Sequence, residues 1–133
     1  TKDMVRKWKE ESSYVGGDTR TVEVNLSVDG KNQTVDIGDL IQEACELLIP
    51  KVGNAIKRIV AEADPEYQPV LRNNIILSGG GSLIDGLAER IARDISDIGD
   101  VNVWCVENPL EKVAEGALML AGEMPDDMYT AIN

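Results

Sequence analysis

The feature that most limits how this chain can fold is an apolar run that ends in three consecutive glycines. The run Ile75–Leu77 is followed by Ser78 and then by the glycines. Without Cβ atoms the backbone of such a turn approaches a ligand closely, and a following helix offers unpaired N–H groups to an anion. The pattern predicts a buried strand, a turn and a helix. The turn residues that are candidates for ligand contact are Gly79, Gly80, Gly81 and Ser82.

This glycine turn has two interpretations. In one, its backbone contacts a nucleotide. In the other it is a plain turn, in which Ser82 is the N-cap of the next helix and Asp85 is the third helical residue. The sequence has neither the GK[ST] of a P-loop nor a GxGxxG fingerprint. Spacing alone leaves both interpretations open and favours the plain turn.

The first third of the chain predicts a helix and a hairpin. Residues 2–13 carry an amphipathic helical pattern, and apolar residues then alternate with polar ones over 22–28, as in a half-buried strand. Asp29 and Gly30 both tolerate positive φ, which favours a tight turn before a return strand over 33–35.

The rest of the chain predicts helices alternating with strands. Apolar residues recur at helical spacing from 38 to 60, and Pro50 removes a backbone hydrogen bond, so we expect a kink or a break between Glu46 and Pro50. Residues 64–69 indicate an irregular connection. The later predictions are a strand over 74–77, a helix over 83–95, a buried strand over 101–106, and a last helix starting at Pro109 and ending before Pro125. The alternation predicts an α/β fold with parallel strands and an appended α+β hairpin.

Composition excludes several classes of function. The chain has 133 residues, enough for one core, and its net charge of −11 argues against nucleic acid or an anionic membrane as partner. No histidine is present, which excludes a Ser-His or Cys-His hydrolase within the chain. Cys45 and Cys105 are predicted to be buried, reduced thiols, and Asp126 and Asp127 a solvated tail. With no apolar signal and Thr1 as first residue, we expect a cytoplasmic protein cut from something longer.

The first predicted helix carries a second candidate site. Arg6, Lys9 and Glu10 stand at i, i+3 and i+4 and share one face of the helix. The carboxylate can accept hydrogen bonds from ribose hydroxyls, and the cationic stems can lie along a purine ring. The alternative, favoured by spacing alone, is a solvated face with a surface ion pair.

Residues 73–87, NNIILSGGGSLIDGL, resemble the adenosine-binding loop of the actin superfamily, specifically of its bacterial filament branch. The similarity covers nearly the whole chain. Further matching segments are QEACELLIP at 42–50, PEYQ at 65–68, DVNVWCVENPL at 100–110, GAL at 116–118, and Pro125. These segments are most similar to the magnetosome-organising (MamK) type, with the cell-shape (MreB) type as the nearer alternative. A sugar kinase or an Hsp70-like chaperone shares the superfamily fold and is a more distant alternative.

The resemblance implies roles for the candidate site residues. In the family, a helix that opens this part of the second lobe supplies a basic residue, a lysine and a glutamate to the adenosine pocket. By that similarity Arg6 and Lys9 would flank the purine, and Glu10 would bind the ribose. The residues implied beside the adenosine and the α-phosphate are Gly80, Gly81 and Ser82, with Lys112 closing the base from the far side.

The resemblance also implies a fold and a longer parent protein. The fold would be an actin-like, ribonuclease H-like half-domain, with residues 1–60 as hairpin subdomain and long helix and 61–133 as the nucleotide-loop part. The family's phosphate hairpins, Mg²⁺-organising aspartates and water-positioning residue lie upstream, so this chain alone is not expected to hydrolyse ATP.

The implied partners follow from the same family. The parent would bind ATP or ADP with Mg²⁺, assemble with copies of itself into a cytoskeletal filament, and contact magnetosome-associated proteins. The alternative from another class is a stand-alone actin-fold interaction module that binds a partner without nucleotide turnover.

Overall fold

The computed structural model describes residues 1–125 and 128. This part of the chain contains six helices and four strands, in the predicted order except for α4, which was not predicted. The helices are α1 (Lys2–Ser12), α2 (Gly38–Glu46), α3 (Ile49–Glu62), α4 (Gln68–Arg72), α5 (Leu87–Asp94) and α6 (Lys112–Glu123). The strands are β1 (Glu23–Val28), β2 (Lys31–Asp36), β3 (Ile75–Leu77) and β4 (Val103–Cys105), and short 3₁₀ turns lie at Gly80–Leu83 and Ser96–Ile98.

The predicted hairpin is confirmed. Strands β1 and β2 pair antiparallel, with Val28 opposite Lys31. The two residues between them, Asp29 and Gly30, have φ values of 51° and 77°. Positive φ at both positions is the requirement of the tight turn whose twist matches that of the strands.

The break in the long helix is also confirmed. α2 ends at Glu46, and α3 starts at Ile49 with Pro50 in its first turn. Proline is tolerated there because the first N–H groups of a helix have no partner within the helix. The chain therefore forms two helices, although apolar residues recur at helical spacing without interruption from 38 to 60.

The core joins both halves of the chain. β3 and β4 pair in parallel, with Ile75 opposite Val103, which confirms the predicted α/β pairing. α5 packs against both β4 and α3. The buried apolar cluster consists of Val15, Ile49, Leu87, Ile91 and Ile95.

Four local predictions are wrong. The connection predicted as irregular contains α4, which accepts Pro69 in its first turn. Pro109 precedes the last helix by three residues instead of opening it. The predicted second strand is shorter, and Cys105 is exposed, as is Trp104 at 44%. The outer face of this sheet is open among the described residues, since Ile76, which pairs with Trp104, is 51% exposed.

The remaining outcomes concern the cysteines, the acidic pair near the end of the chain and membrane-spanning helices. Cys45 is half-buried, and both cysteines are free thiols. Asp126 and Asp127 lie outside the described residues. Within the described part of the chain, no helix combines the length and the apolar character that crossing a membrane requires.

Tyr14 connects the end of α1 to the base of the hairpin. The side chain is buried, its hydroxyl donates to the carbonyl of Gly38 at 3.2 Å, and it accepts from the N–H of Arg20 at 2.9 Å. The Arg20 guanidinium lies 4.7 Å from the centre of the ring.

Asp36 also closes the base of the hairpin. One carboxylate oxygen, Oδ1, accepts from the N–H of Val22 at 2.8 Å and from that of Gly38 at 2.9 Å. These bonds, the one from Gly38 first, lower the pKa of the Asp36 carboxyl, because they favour the charged form.

Replacing Tyr14 by Phe is expected to lower the free energy of unfolding by about 1–2 kcal/mol, because the buried carbonyl of Gly38 and the part-buried N–H of Arg20 lose their shared partner. Urea unfolding of the chain measures the change. The matched control is Tyr67→Phe, at a tyrosine that is 56% exposed, for which we expect almost no change. Equal effects in the two variants would contradict the role assigned to the Tyr14 hydroxyl.

The contribution of Asp36 to stability should depend on pH. Because its folded pKa is lowered, the stabilisation is present above the ordinary aspartate pKa of about 3.9 and is lost as pH falls through the folded pKa. We expect native protein to exceed the Asp36→Ala variant in stability at pH 6, with the difference shrinking below pH 4. Denaturant unfolding at a series of pH values tests this, and a difference independent of pH would contradict it.

Candidate functional site

The glycine turn differs from the helix start predicted for it. Gly79 has a φ of 85°, and a 3₁₀ turn over Gly80–Leu83 follows. The Ser82 hydroxyl donates to the Gly79 carbonyl at 2.8 Å, so Ser82 is not the N-cap of α5. That helix starts four residues later than predicted, because Gly86 before it is left-handed. Asp85 therefore does not occupy the third helical position.

The turn is tethered to the loop that follows β4. The N–H of Gly79 donates to the carbonyl of Pro109 at 3.1 Å, and the Ser78 hydroxyl to the same oxygen at 3.4 Å. Parallel strands bring their carboxyl ends to one edge of a sheet, which is why these two loops meet.

A second pair of backbone bonds holds α1 beside the turn. The N–H of Val15 donates to the carbonyl of Asp85 at 2.9 Å, and the N–H of Asp85 donates to the carbonyl of Ser13 at 3.1 Å. None of the 11 residues of α1 is buried, so this short bridge carries much of its attachment. The side chain of Asp85 also pairs with Arg20 at 2.6 Å.

Between α1 and the glycine turn lies a cleft of about 310 Å³. This volume is at the lower end of the range of small-molecule sites, roughly 300–1,000 Å³. The lining residues are Lys9, Glu10, Ser13, Gly80, Leu83, Ile84 and Leu110. The structure thus brings together two regions that the sequence offered separately, the charged face of α1 and the glycine turn.

Four of these lining residues were not predicted. Ser13 follows Lys9 by four residues and Glu10 by three, so helical spacing extended by one turn would have identified it. Leu83 and Ile84 were assigned to a helix, and only the 3₁₀ geometry turns them toward the cleft. For Leu110 no local signal exists, because its position depends on the tether at Pro109.

The other predicted residues lie around the cleft. Arg6 is absent from the lining and pairs with Glu10, with 2.8 Å between Nε and Oε1. Gly79 and Gly81 flank Gly80, and Ser82 is buried behind the turn. Lys112 is also outside the lining and pairs with Glu115 at 2.7 Å, which raises the pKa of the Lys112 ammonium.

The chemistry of the lining suits a ligand with an apolar ring and hydroxyl groups. Leucine and isoleucine side chains offer apolar contact, Glu10 accepts hydrogen bonds, and Gly80 lets the ligand approach the backbone. Among the described residues, no cluster of three or more His, Cys, Asp or Glu side chains is arranged to hold a metal ion.

Comparison with known proteins shows the family and fold to which the chain is similar. The family model described as MreB/Mbl protein matches residues 8–128. Over 121 residues the chain is 37% identical to the actin-like protein MamK of Paramagnetospirillum magneticum (strain ATCC 700264 / AMB-1), covering 91% of this chain and 35% of that protein.

Two solved structures have the same fold. A MamK double helical filament superposes with a TM-score of 0.89 at 34% identity, over 94% of this chain and 38% of the other. A non-polymerising MamK mutant bound to AMPPNP gives a TM-score of 0.84 at 34% identity, over 92% and 38%. The chain thus spans little more than a third of the proteins that it resembles.

Gly86 lies next to the bridge that holds α1 and has no room for a side chain. Its φ is +76°, and an added Cβ would lie 2.6 Å from the carbonyl oxygen of Val15. The N–H of the same Val15 makes one of the two hydrogen bonds that hold α1. We expect Gly86→Ala to lower the free energy of unfolding by about 1–3 kcal/mol. At Gly81 an added Cβ meets nothing within 4 Å and φ is not positive, so Gly81→Ala is the matched control.

Urea unfolding followed by circular dichroism compares these two glycine variants. A loss of stability confined to Gly86→Ala supports the bridge as the attachment of α1. Equal losses in both variants would contradict it.

Proposed function

The chain belongs to the MreB/Mbl family of actin-like proteins, and we propose that it forms one wall of an adenine-nucleotide site in a longer, filament-forming parent. The observation that carries the proposal is the joint presence of Lys9, Glu10 and Gly80 on one cleft. These residues come from the two segments that the family resemblance assigns to adenosine, and the structure of the MamK mutant contains AMPPNP.

Each wall of the cleft has a distinct part in nucleotide binding. The Glu10 carboxylate accepts hydrogen bonds from ribose hydroxyls, and the Lys9 stem lies along the purine. Gly80, Gly81 and Ser82 follow the nucleoside toward its α-phosphate, with the Leu110 side chain against Gly80. Leu83 and Ile84 line the same cleft with apolar surface.

The roles of Gly79, Arg6 and Lys112 are less direct. Gly79 gives the turn its positive φ, and Arg6 acts beside Glu10. Lys112 reaches the base only if it leaves its partner Glu115, so it contributes least. When bound, Mg²⁺ would neutralise the phosphates of ATP or ADP. This chain's own part is to hold the nucleoside, and the parent's upstream region would supply the catalytic groups.

At the level of the whole parent, we propose an ATP-dependent cytoskeletal filament that organises magnetosomes in the cytoplasm. Its partners would be further copies of itself and magnetosome-associated proteins. In this parent, residues 1–60 form the hairpin subdomain with its long helical segment, and 61–133 the nucleotide-loop part. The similarity to MamK, and to its double helical filament, supports this proposal.

The second candidate is a cell-shape filament of the MreB type, which the family model favours by its description. The two candidates predict different consequences of deleting the parent gene. Loss of a magnetosome filament disperses the organelles at constant cell width, whereas loss of a cell-shape filament changes the width. If the chain is instead an interaction module without nucleotide turnover, assembly of the wild-type protein that contains it would not depend on ATP.

The nucleotide site is tested by Glu10→Gln in the full-length parent. We expect its affinity for ATP, measured by calorimetry, to fall about tenfold or more, because a charged acceptor is lost. ATP-dependent filaments in electron micrographs should decrease in parallel.

The control is Glu11→Gln on the same helix, since Glu11 pairs with Lys7 and is not part of the cleft lining. It should leave affinity and assembly unchanged. Unaltered nucleotide affinity and filament formation in Glu10→Gln would rule out the proposed site.

A further inference from the structure

Two ion pairs of the same spacing lie on α1, but only one of them reaches the cleft. Arg6 pairs with Glu10 and Lys7 with Glu11, each four residues apart. The first pair has its atoms 2.8 Å apart, within hydrogen-bond distance, and the second 3.8 Å. Of these four side chains, Glu10 alone belongs to the lining of the cleft.

The position of Arg6 separates it from direct contact with a ligand. Its side chain is 77% exposed and lies outside the cleft lining, while its Nε–H donates to Glu10 Oε1. This bond, followed by the charge of Glu10, raises the pKa of the guanidinium. Arg6 thus acts on the carboxylate, not on the space where a purine would lie.

We propose that Arg6 is a positioning residue, which holds the Glu10 carboxylate toward a ribose hydroxyl and thereby makes the site prefer ribonucleotides to deoxyribonucleotides. This inference rests on the proposed nucleotide site. A carboxylate accepts at four lone-pair positions, so one bond from Arg6 to Oε1 leaves Oε2 free for a hydroxyl.

The physical gain comes from ordering Glu10 before the ligand arrives. An exposed glutamate samples several rotamers, and fixing one of them on binding reduces affinity. With Arg6 in place, part of that ordering exists in the free protein. The benefit applies only to ligands that carry the hydroxyl, and it therefore changes selectivity as well as affinity.

Arg6 also carries positive charge that attracts a triphosphate from a distance, and this effect must be separated from positioning. The Lys7→Gln variant serves as the control for this loss of charge. Lys7 is on the same helix, carries the same charge and has the same i,i+4 arrangement, but its partner Glu11 is away from the cleft.

The experiment uses the full-length parent protein and calorimetric dissociation constants for ATP, 2′-deoxyATP and 3′-deoxyATP. The variants are Arg6→Gln, Arg6→Lys, Glu10→Gln, the double variant Arg6→Gln/Glu10→Gln, and Lys7→Gln. We expect Arg6→Gln to weaken ATP binding about two- to fivefold, the range of exposed ion pairs.

In Arg6→Gln the preference for ATP over the more weakly bound deoxynucleotide should fall by the same factor. Arg6→Lys should restore part of that preference. The double variant should bind ATP no more weakly than Glu10→Gln does, once the effect of losing one positive charge, measured with Lys7→Gln, is allowed for. Lys7→Gln itself should leave the preference for ATP over the deoxynucleotides intact.

Two results would overturn the inference, and they are distinguishable. If Glu10→Gln loses nucleotide affinity but Arg6→Gln keeps the wild-type preference for ATP, the nucleotide site stands and the positioning role is wrong. If Glu10→Gln binds all three nucleotides as wild type does, both the site and the positioning role are wrong.

Discussion

The cleft depends on the two backbone hydrogen bonds that join Asp85 to Ser13 and Val15. They fix the end of α1, a helix without a buried residue, to the segment that leaves the glycine turn. The side chain between them, Tyr14, extends the same connection to the base of the hairpin through Gly38 and Arg20. Without this bridge the charged face of α1 and the glycine turn would be unrelated surfaces, and no site would lie between them.

The two walls of the cleft are built differently. The glycine turn follows a paired strand and is bonded to Pro109, so the sheet sets its position. The wall from α1 is solvated, and its groups are arranged by ion pairs along one helix. A ligand therefore meets one wall set by backbone geometry and another set by side-chain electrostatics.

Sequence periodicity predicted the parts of the fold that depend on local chemistry. The hairpin turn needs positive φ at Asp29 and Gly30, and Pro50 cannot continue a helix, so both features could be predicted from neighbouring residues. The exposure of Cys105 could not, because an apolar strand gives no sign of whether its sheet is covered. Of the site, helical spacing placed Arg6, Lys9 and Glu10 on one face of α1, and of these Lys9 and Glu10 line the cleft. Leu110 escaped prediction because its place is set by the hydrogen bond between Gly79 and Pro109, which are 30 residues apart in sequence.

The sheet formed by β3 and β4 has a consequence for handling the chain. Among the described residues each of these strands pairs only with the other, so each presents one open edge, and the neighbouring face exposes Ile76 and Trp104. Open edges and apolar faces promote pairing between molecules, a process that like charge opposes. The net charge of −11 provides that opposition through mutual repulsion, which salt screens. We therefore expect self-association of the chain to be weak in dilute buffer and to increase with ionic strength.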